Sequence, residues 1–320
     1  MLNITLRGTP YEIGFQHGET LKPLVNGIVQ HLVPSDMEFQ HKDVEETITL
    51  LKKNFPELLE EMKGIADGSD IPFEKIVSLN IKILHYCTVI AFEESDVGPI
   101  LGKNFDFPGY AFQTLFHVIP NKGHSFVHLG CAGSISSYGG INIKGLAMGH
   151  AVVFLREQEN VLGIPIAFVR RLALQYCSTT KEAIEYVASI QTQKVGDNIL
   201  FLDSNGEARV IEKAPKSFQV RKPESRIVYC TNSFVHEDHS HYIDDGTDGS
   251  NRHKALGHLL PHDNLTEQSL KTILSNKEGN YPICRKTTQV SFVAFPEKLM
   301  LKVTDGKPVA EGYKDFIITL

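Results

Sequence analysis

At Cys87 the hydrophobic period of this chain changes. Before it, apolar residues recur at steps of three and four, the spacing of helices with one buried face. Residues 11–33 put Ile13, Leu21, Leu24, Val25, Ile28, Val29 and Leu32 on one stripe. A second stripe holds Ile48, Leu51, Phe55, Leu58, Met62 and Ile65, with Asp43 as its cap, Glu46 at the capping-box position and a break expected at Pro56. Ser69 or Asp70, ahead of Pro72, opens a third helix through Phe73, Ile76, Val77, Ile83 and Leu84. From Cys87 onward the apolar runs are short and bounded by turn residues, which predicts strands. Residues 87–92 and 98–107 read as a hairpin joined by the acidic turn Glu93-Glu94-Ser95-Asp96.

Further strands are expected at 117–119, 125–129, 145–153, 198–203, 208–213, 225–231, 290–296 and 298–304. Helices are expected at 164–177, 180–189 (capped by Ser178 or Thr179) and 265–275. Gly139-Gly140 and Ser204-Asn205-Gly206 read as turns, and the polar segment 236–251 as a loop. Strands grouped in hairpins and helices in separate blocks imply an α+β fold. The expected architecture is a four-layer αββα sandwich, with two stacked, mainly antiparallel sheets in a single domain over residues 1–320.

Charge narrows the partners. The chain carries 32 Lys and Arg against 38 Asp and Glu, a net −6. The first 86 residues hold 8 basic and 13 acidic side chains, so most of that excess lies in the helical block. Such a balance argues against nucleic-acid or anionic-membrane binding. There is no signal-peptide pattern at the start and no apolar run of spanning length, so a soluble, cytoplasmic protein is expected. Five cysteines cannot all pair, and they are too sparse for a disulfide framework. Each is core filler, ligand or nucleophile. Phosphate-cradling, dinucleotide and H-E-x-x-H signatures are absent, so no cofactor is expected. The sequence leaves a homo-oligomer open.

Cys87 stands where a helical block meets a strand. A thiol is nucleophilic but mostly protonated at neutral pH, with a free pKa of about 8.5. If the peptide bond before Cys87 is cut, the new α-amino group, with a pKa of about 7.7–8.0, can serve as base for its own side chain. Asp106 returns on the next strand, 19 residues later, and can orient that group.

The segment Gly8-Thr9-Pro10-Tyr11-Glu12-Ile13-Gly14-Phe15-Gln16-His17-Gly18 resembles the opening of the acyl-coenzyme A:6-aminopenicillanic acid acyltransferase family. In order follow Cys87-Thr88, Gly102-Lys103-Asn104-Phe105-Asp106, Gly140-Ile141-Asn142-Ile143-Lys144-Gly145-Leu146-Ala147, Gly163-Ile164-Pro165, the run from Asp197 to Asp203, and Thr231-Asn232-Ser233-Phe234. The resemblance spans about residues 5–310. It implies an N-terminal-nucleophile (Ntn) hydrolase, made as a precursor and self-cleaved between Tyr86 and Cys87. Cys87 would be the nucleophile, Asp106 would contact the new α-amino group, and Asn232 would help form the oxyanion hole. Arg285, in Tyr-Pro-Ile-Cys-Arg, resembles a late family arginine near the site. Thr88 and Tyr86, on either side of Cys87, are read as substrate contacts. Phe105 and Phe107 stand where the family has Trp, and Ser233 where a His is common.

The expected reaction is hydrolysis of a small N-acyl or peptide-like amide through an acyl-enzyme on Cys87. Acyl transfer from a thioester or amide to an amine is the alternative. Two further readings stay open. One is a metal-dependent hydrolase using His236, His239 and His241, beside Asp244 and Asp245. The other is an uncleaved binding protein that keeps the fold without the activity. His17 is read as structural, and Cys131, Cys177, Cys230 and Cys284 as core thiols.

Overall fold

A computed structural model of the 320-residue chain describes residues 1–33, 41–81, 85–109, 113–157, 161–244, 246–261, 263–309 and 312–317. Strand β1 (Leu2–Gly8) comes first. It is followed by five helices, α1 (Pro10–Thr20), α2 (Lys22–Leu32), α3 (His41–Asn54), α4 (Pro56–Ser69) and α5 (Phe73–Ile81). Six strands follow: β2 (Tyr86–Phe92), β3 (Ile100–Asp106), β4 (Gln113–Pro120), β5 (Phe126–Cys131), β6 (Gly139–Asn142) and β7 (Ala147–Val153). Helices α6 (Ile166–Tyr176) and α7 (Thr180–Ser189) separate these from β8 (Gly196–Leu202), β9 (Ala208–Lys213), β10 (Phe218–Arg221) and β11 (Ile227–Cys230). Helices α8 (Asp248–Leu259) and α9 (Glu267–Leu274) precede β12 (Thr288–Phe295), β13 (Met300–Thr304) and β14 (Tyr313–Ile317).

The strands form two sheets. One runs β1-β4-β5-β6-β7-β8-β9-β10, the other β11-β2-β3-β12-β13-β14. Among the described strands, every pairing is antiparallel except β1 with β4. Period two decides what each face buries. Cys87, Val89 and Ala91 of β2, with Leu101 and Phe105 of β3, pack between the sheets against Leu129, Ile141 and Leu200. Ile90 and Phe92 point the other way, onto Leu256 of α8 and Leu270 and Leu274 of α9. Helices α1 to α7 cover the outer face of the larger sheet. The expected αββα sandwich is what forms.

Helices α1 and α4 touch backbone to backbone. A Cβ on Gly14 would lie 1.9 Å from the Glu61 carbonyl oxygen, and one on Gly64 2.2 Å from that of Tyr11. Only glycine permits this approach. Thr9 caps α1 in a capping box with Glu12, and Thr179 caps α7.

Several local expectations change. The stripe over 11–33 is two helices, broken at Leu21, with Pro23 in the first turn of the second. Asp43 lies in the first turn of α3 and does not precede it. Gly139 and Gly140 belong to β6, where a Cβ on Gly140 would meet the Val127 carbonyl oxygen of the neighbouring strand. The segment 236–251 is a short 3-10 turn (Glu237–Tyr242) followed by the start of α8. Strands β1, β10 and β14 were not expected. Residues Ile83 and Leu84, assigned to the third helix, and Asp245 lie outside the described residues. Among the described residues no helix is long and apolar enough to cross a membrane.

Candidate active site

Strand β2 carries Cys87 into the layer between the sheets, fully buried. Its Sγ lies 3.5 Å from Nδ1 of His85, which is also buried. Lys103 shares this face, two positions before Phe105 on β3, and its Nζ donates to the carbonyls of Tyr138 and of His150 (2.8 Å). Burial pushes the Cys87 thiol up, and Lys103 pulls it down through charge and a hydrogen bond. The net direction is up, so the thiol is protonated at neutral pH and attack requires a base.

The backbone of Cys87 meets a different set of groups. Its N–H donates to Asn232 Oδ1 at 2.9 Å. The same oxygen accepts from Arg252 Nη2 at 2.5 Å, and Arg252 Nη1 donates to Asp106 Oδ2 at 3.2 Å. Thr288 Oγ1 donates to Asp106 Oδ1 at 2.5 Å. Asp106 thus reaches the Cys87 nitrogen by way of Arg252 and Asn232. Burial raises the Asp106 carboxyl and Arg252 opposes it. Asn232 Nδ2 donates one hydrogen to the Val152 carbonyl at 2.7 Å, and its second amide hydrogen has no acceptor among the described residues.

These partners are built in from several sides. Asn198 Nδ2 donates to the carbonyls of Thr231 and Ser233, both at 2.8 Å, and so clamps the residues flanking Asn232. Thr231 Oγ1 donates to the Gly249 carbonyl at 2.7 Å, docking the first turn of α8. Gly249 lies against the Asn232 backbone, where a Cβ would come within 2.4 Å of the carbonyl oxygen.

Tyr86 is 36% exposed, with its ring 5.7 Å from Phe154 and 5.4 Å from the Arg285 guanidinium. Arg285 pairs with Asp248 at 3.0 Å, and Asp248 lies 3.7 Å from Arg252. Arg285 therefore sits beside the Tyr86 ring. Thr88 is buried but lies on the α8–α9 side of β2, because alternate residues of a strand face opposite ways. A direct contact between Thr88 and a substrate held at Cys87 Sγ does not fit that alternation.

A second charged group lies on the thiol side. Asp197 of β8 pairs with Arg170 of α6 at 2.5 Å and with His150 Nδ1 at 3.2 Å. Burial pushes Asp197 up to about 6 against the pull of Arg170. His85 packs against Phe105 (5.1 Å), Tyr138 (5.3 Å) and His150 (4.9 Å). His85, Lys103, Arg170, Asp197 and Arg252 were not singled out by sequence. Lys103 carried a usable signal, since period two from Phe105 places a charge on an apolar face. Arg252 carried none, because its partners are distant in the chain.

The described residues of the histidine-rich segment do not converge on a metal site. His239 is buried against Ser217 Oγ (3.0 Å) and Glu212 (3.6 Å), while His236 caps the 3-10 turn and His241 packs on Tyr242. Among the described residues no three His, Cys, Asp or Glu converge as metal ligands. The metal-hydrolase reading is therefore withdrawn. Cys131, Cys177, Cys230 and Cys284 are free buried thiols, and His17 Nε2 accepts the Gly133 N–H at 2.8 Å, a structural bond.

The chain is 25% identical over 307 residues to the acyl-coenzyme A:6-aminopenicillanic-acid-acyltransferase 40 kDa form of Emericella nidulans, covering 89% of this chain and 85% of that protein. A shorter stretch of 103 residues is 37% identical to human acid ceramidase, covering 30% of this chain and 26% of that protein. The fold matches the Caenorhabditis elegans N-acylethanolamine-hydrolyzing acid amidase ortholog with a TM-score of 0.52 and 17% identity, over 73% of this chain and all of that one. Residues 92–293 match the family model for acyl-coenzyme A:6-aminopenicillanic acid acyl-transferase, a span that opens just after Cys87. The chain belongs to that family, and is an Ntn-type enzyme of the hydrolase and acyltransferase class that acts on amide bonds.

Proposed function

We propose that the chain cleaves itself between Tyr86 and Cys87 and then hydrolyses small N-acyl or peptide-like amides, with Cys87 as nucleophile. The reading rests above all on the bond from the Cys87 nitrogen to Asn232 Oδ1. One side chain then holds the nitrogen that cleavage would release, and keeps an amide hydrogen for the oxyanion. After the cut, that nitrogen is an amine linked through Asn232 and Arg252 to Asp106, and it can take the thiol proton. Cys87 Sγ attacks the substrate carbonyl, and the oxyanion faces the free Asn232 N–H, a donor worth about 3–4 kcal/mol in comparable sites. The Cys87 amine returns its proton to the leaving amine, and water releases the acyl group. Arg285 and Tyr86 flank the same point, so Arg285 is a candidate for holding a polar group of the substrate.

Acyl transfer is the second reading, favoured by the family's acyltransferase model. In it an amine takes the acyl group in place of water. One experiment separates the two. The purified protein is given N-acyl amides and an acyl thioester, with and without an added primary amine, and the products are weighed by mass. Free acid from the amides, with no new amide formed, supports hydrolysis. A new amide in excess over acid supports transfer. No product in either case, or equal product from Cys87→Ala, contradicts both.

A further inference from the structure

We infer that His85 accepts the Cys87 thiol proton during self-cleavage, and that the reaction it serves then retires it. The inference rests on the self-processing reading above. In the mature form the α-amino group of Cys87 can act as base. In the precursor that nitrogen is an amide, which has no basicity and donates its hydrogen to Asn232. The precursor therefore needs another base near Sγ.

Among the described residues, His85 is the basic side chain whose ring nitrogen lies within hydrogen-bond reach of Sγ. Lys103 directs its Nζ hydrogens at two carbonyls; burial lowers its pKa, while the neighbouring Cys87 favours its charged form, in which it stabilises a thiolate. Asp106 is held by Arg252 and Thr288 on the other face of the sheet. His150 is held through Nδ1 by Asp197, which also binds the cation of Arg170. His85 Nδ1 has Cys87 Sγ at 3.5 Å. Phe105, Tyr138 and His150 fix its ring. Burial, with the charges of Lys103 and Arg170, holds this imidazole well below its usual value, so it is neutral at pH 7. Accepting at Nδ1 then requires the Nε2–H tautomer.

The step balances. Cys87 Sγ bonds to the Tyr86 carbonyl carbon as its proton passes to His85 Nδ1. The carbon–nitrogen bond of Tyr86–Cys87 breaks, and that proton ends on the Cys87 nitrogen, now an amine. Water then cleaves the thioester, leaving a carboxylate on Tyr86, a thiol on Cys87 and one proton, which the new Cys87 amine takes up. His85 now belongs to the segment 1–86, as its second-last residue. A buried thiol and a weakly basic imidazole do not form a standing ion pair, so proton transfer accompanies attack.

The test follows loss of the full-length chain after cell-free synthesis, by mass, between pH 6 and 8. Wild type should cleave at a rate flat with pH. His85→Gln should be slower by at least about 100-fold at pH 7, the usual contribution of a general base. Its residual rate should climb about tenfold per pH unit, as attack then waits on a free thiolate. His85→Gly should regain cleavage with added imidazole. A Gln variant within threefold of wild type would overturn the inference. So would a slow variant with neither the pH slope nor the rescue, which marks a structural role. Should His85→Gln fail to fold, the wild-type profile decides, since a tenfold rise per pH unit there contradicts a neutral base at work. A wild type that never cleaves removes the processing reading and this inference with it, whereas a fast His85→Gln removes this inference alone.

Discussion

Arg252 Nη2 lies 2.5 Å from Asn232 Oδ1, and that oxygen also accepts the N–H of Cys87. A fully buried guanidinium on α8 therefore sets where the side-chain amide of Asn232 points, and with it the environment of the Cys87 nitrogen. Its other arm is tied to Asp106.

Arg252→Met should leave Asp106 buried without its cation. Removing one member of a buried pair costs about 3–5 kcal/mol. Self-cleavage should fall at least tenfold more than in Arg285→Met, whose partner Asp248 is half-exposed. Urea unfolding and a time course of chain cleavage read the two effects. Equal cleavage rates in both variants would contradict the linkage.

Asn232→Leu should keep the outline of the side chain and lose both the acceptor and the oxyanion donor. Loss of one such donor usually lowers rates by about 10²–10³-fold. The thiol itself is untouched, so labelling of Cys87 by a small alkylating probe in unfolded protein should match wild type. Retained turnover would place the oxyanion hole elsewhere.

The hairpin of β2 and β3 was legible in the sequence, but not its register, which sets Cys87 opposite Phe105 and Asp106 opposite Tyr86. Its signals are local: period two, a short acidic turn, and flanking apolar runs. The helices before it were legible for the same reason, apart from their breaks. Strand β1 was not, because a parallel partner such as β4 lies more than a hundred residues away and leaves no turn between them. Helix α8 was hidden by its polar composition, in which only Leu256 is a fully buried apolar residue. Arg252 followed it into obscurity, since its burial comes from β3 and the Asn232 segment. Cys87, Asp106 and Asn232 could be named from motif order, but the link between the last two could not.

Gly249→Ala tests how tightly α8 must seat. Its Cβ would come within 2.4 Å of the Asn232 carbonyl oxygen, a backbone atom that cannot swing away. Overpacking of this kind costs about 1–3 kcal/mol. Cleavage should slow with it, as Asn232 and Arg252 shift together. Gly27→Ala, on α2 with no atom within 4 Å of its Cβ, is the control. It should gain about 0.5–1 kcal/mol from helix propensity and leave cleavage unchanged.

Buried imidazoles make the fold acid-sensitive. His17 and His128 are held at about 3 by burial, far below an unfolded value of about 6.5. A depressed value means the folded state resists protonation. Their contribution is complete above pH 6.5 and is lost as pH falls toward 3, by up to about 1.4 kcal/mol per pH unit for each ring. Asp197, raised to about 6, acts in the opposite sense over the range from about 4 to 6. The comparison is therefore with a variant. His17→Gln, whose amide oxygen can still accept the Gly133 N–H, should lose less stability than wild type between pH 6.5 and 4.5 in urea titrations. An identical slope would mean that His17 is not neutral in the folded state.

Everything proposed for the site turns on Cys87 becoming a chain terminus by its own action. Intact mass of freshly made wild-type protein beside Cys87→Ala tests it most directly. Two wild-type species are expected, residues 1–86 and 87–320, and a single full-length species of 35.7 kDa for the variant. A wild-type chain that stays whole at 35.7 kDa, or a variant that is cut at the same bond, would contradict it.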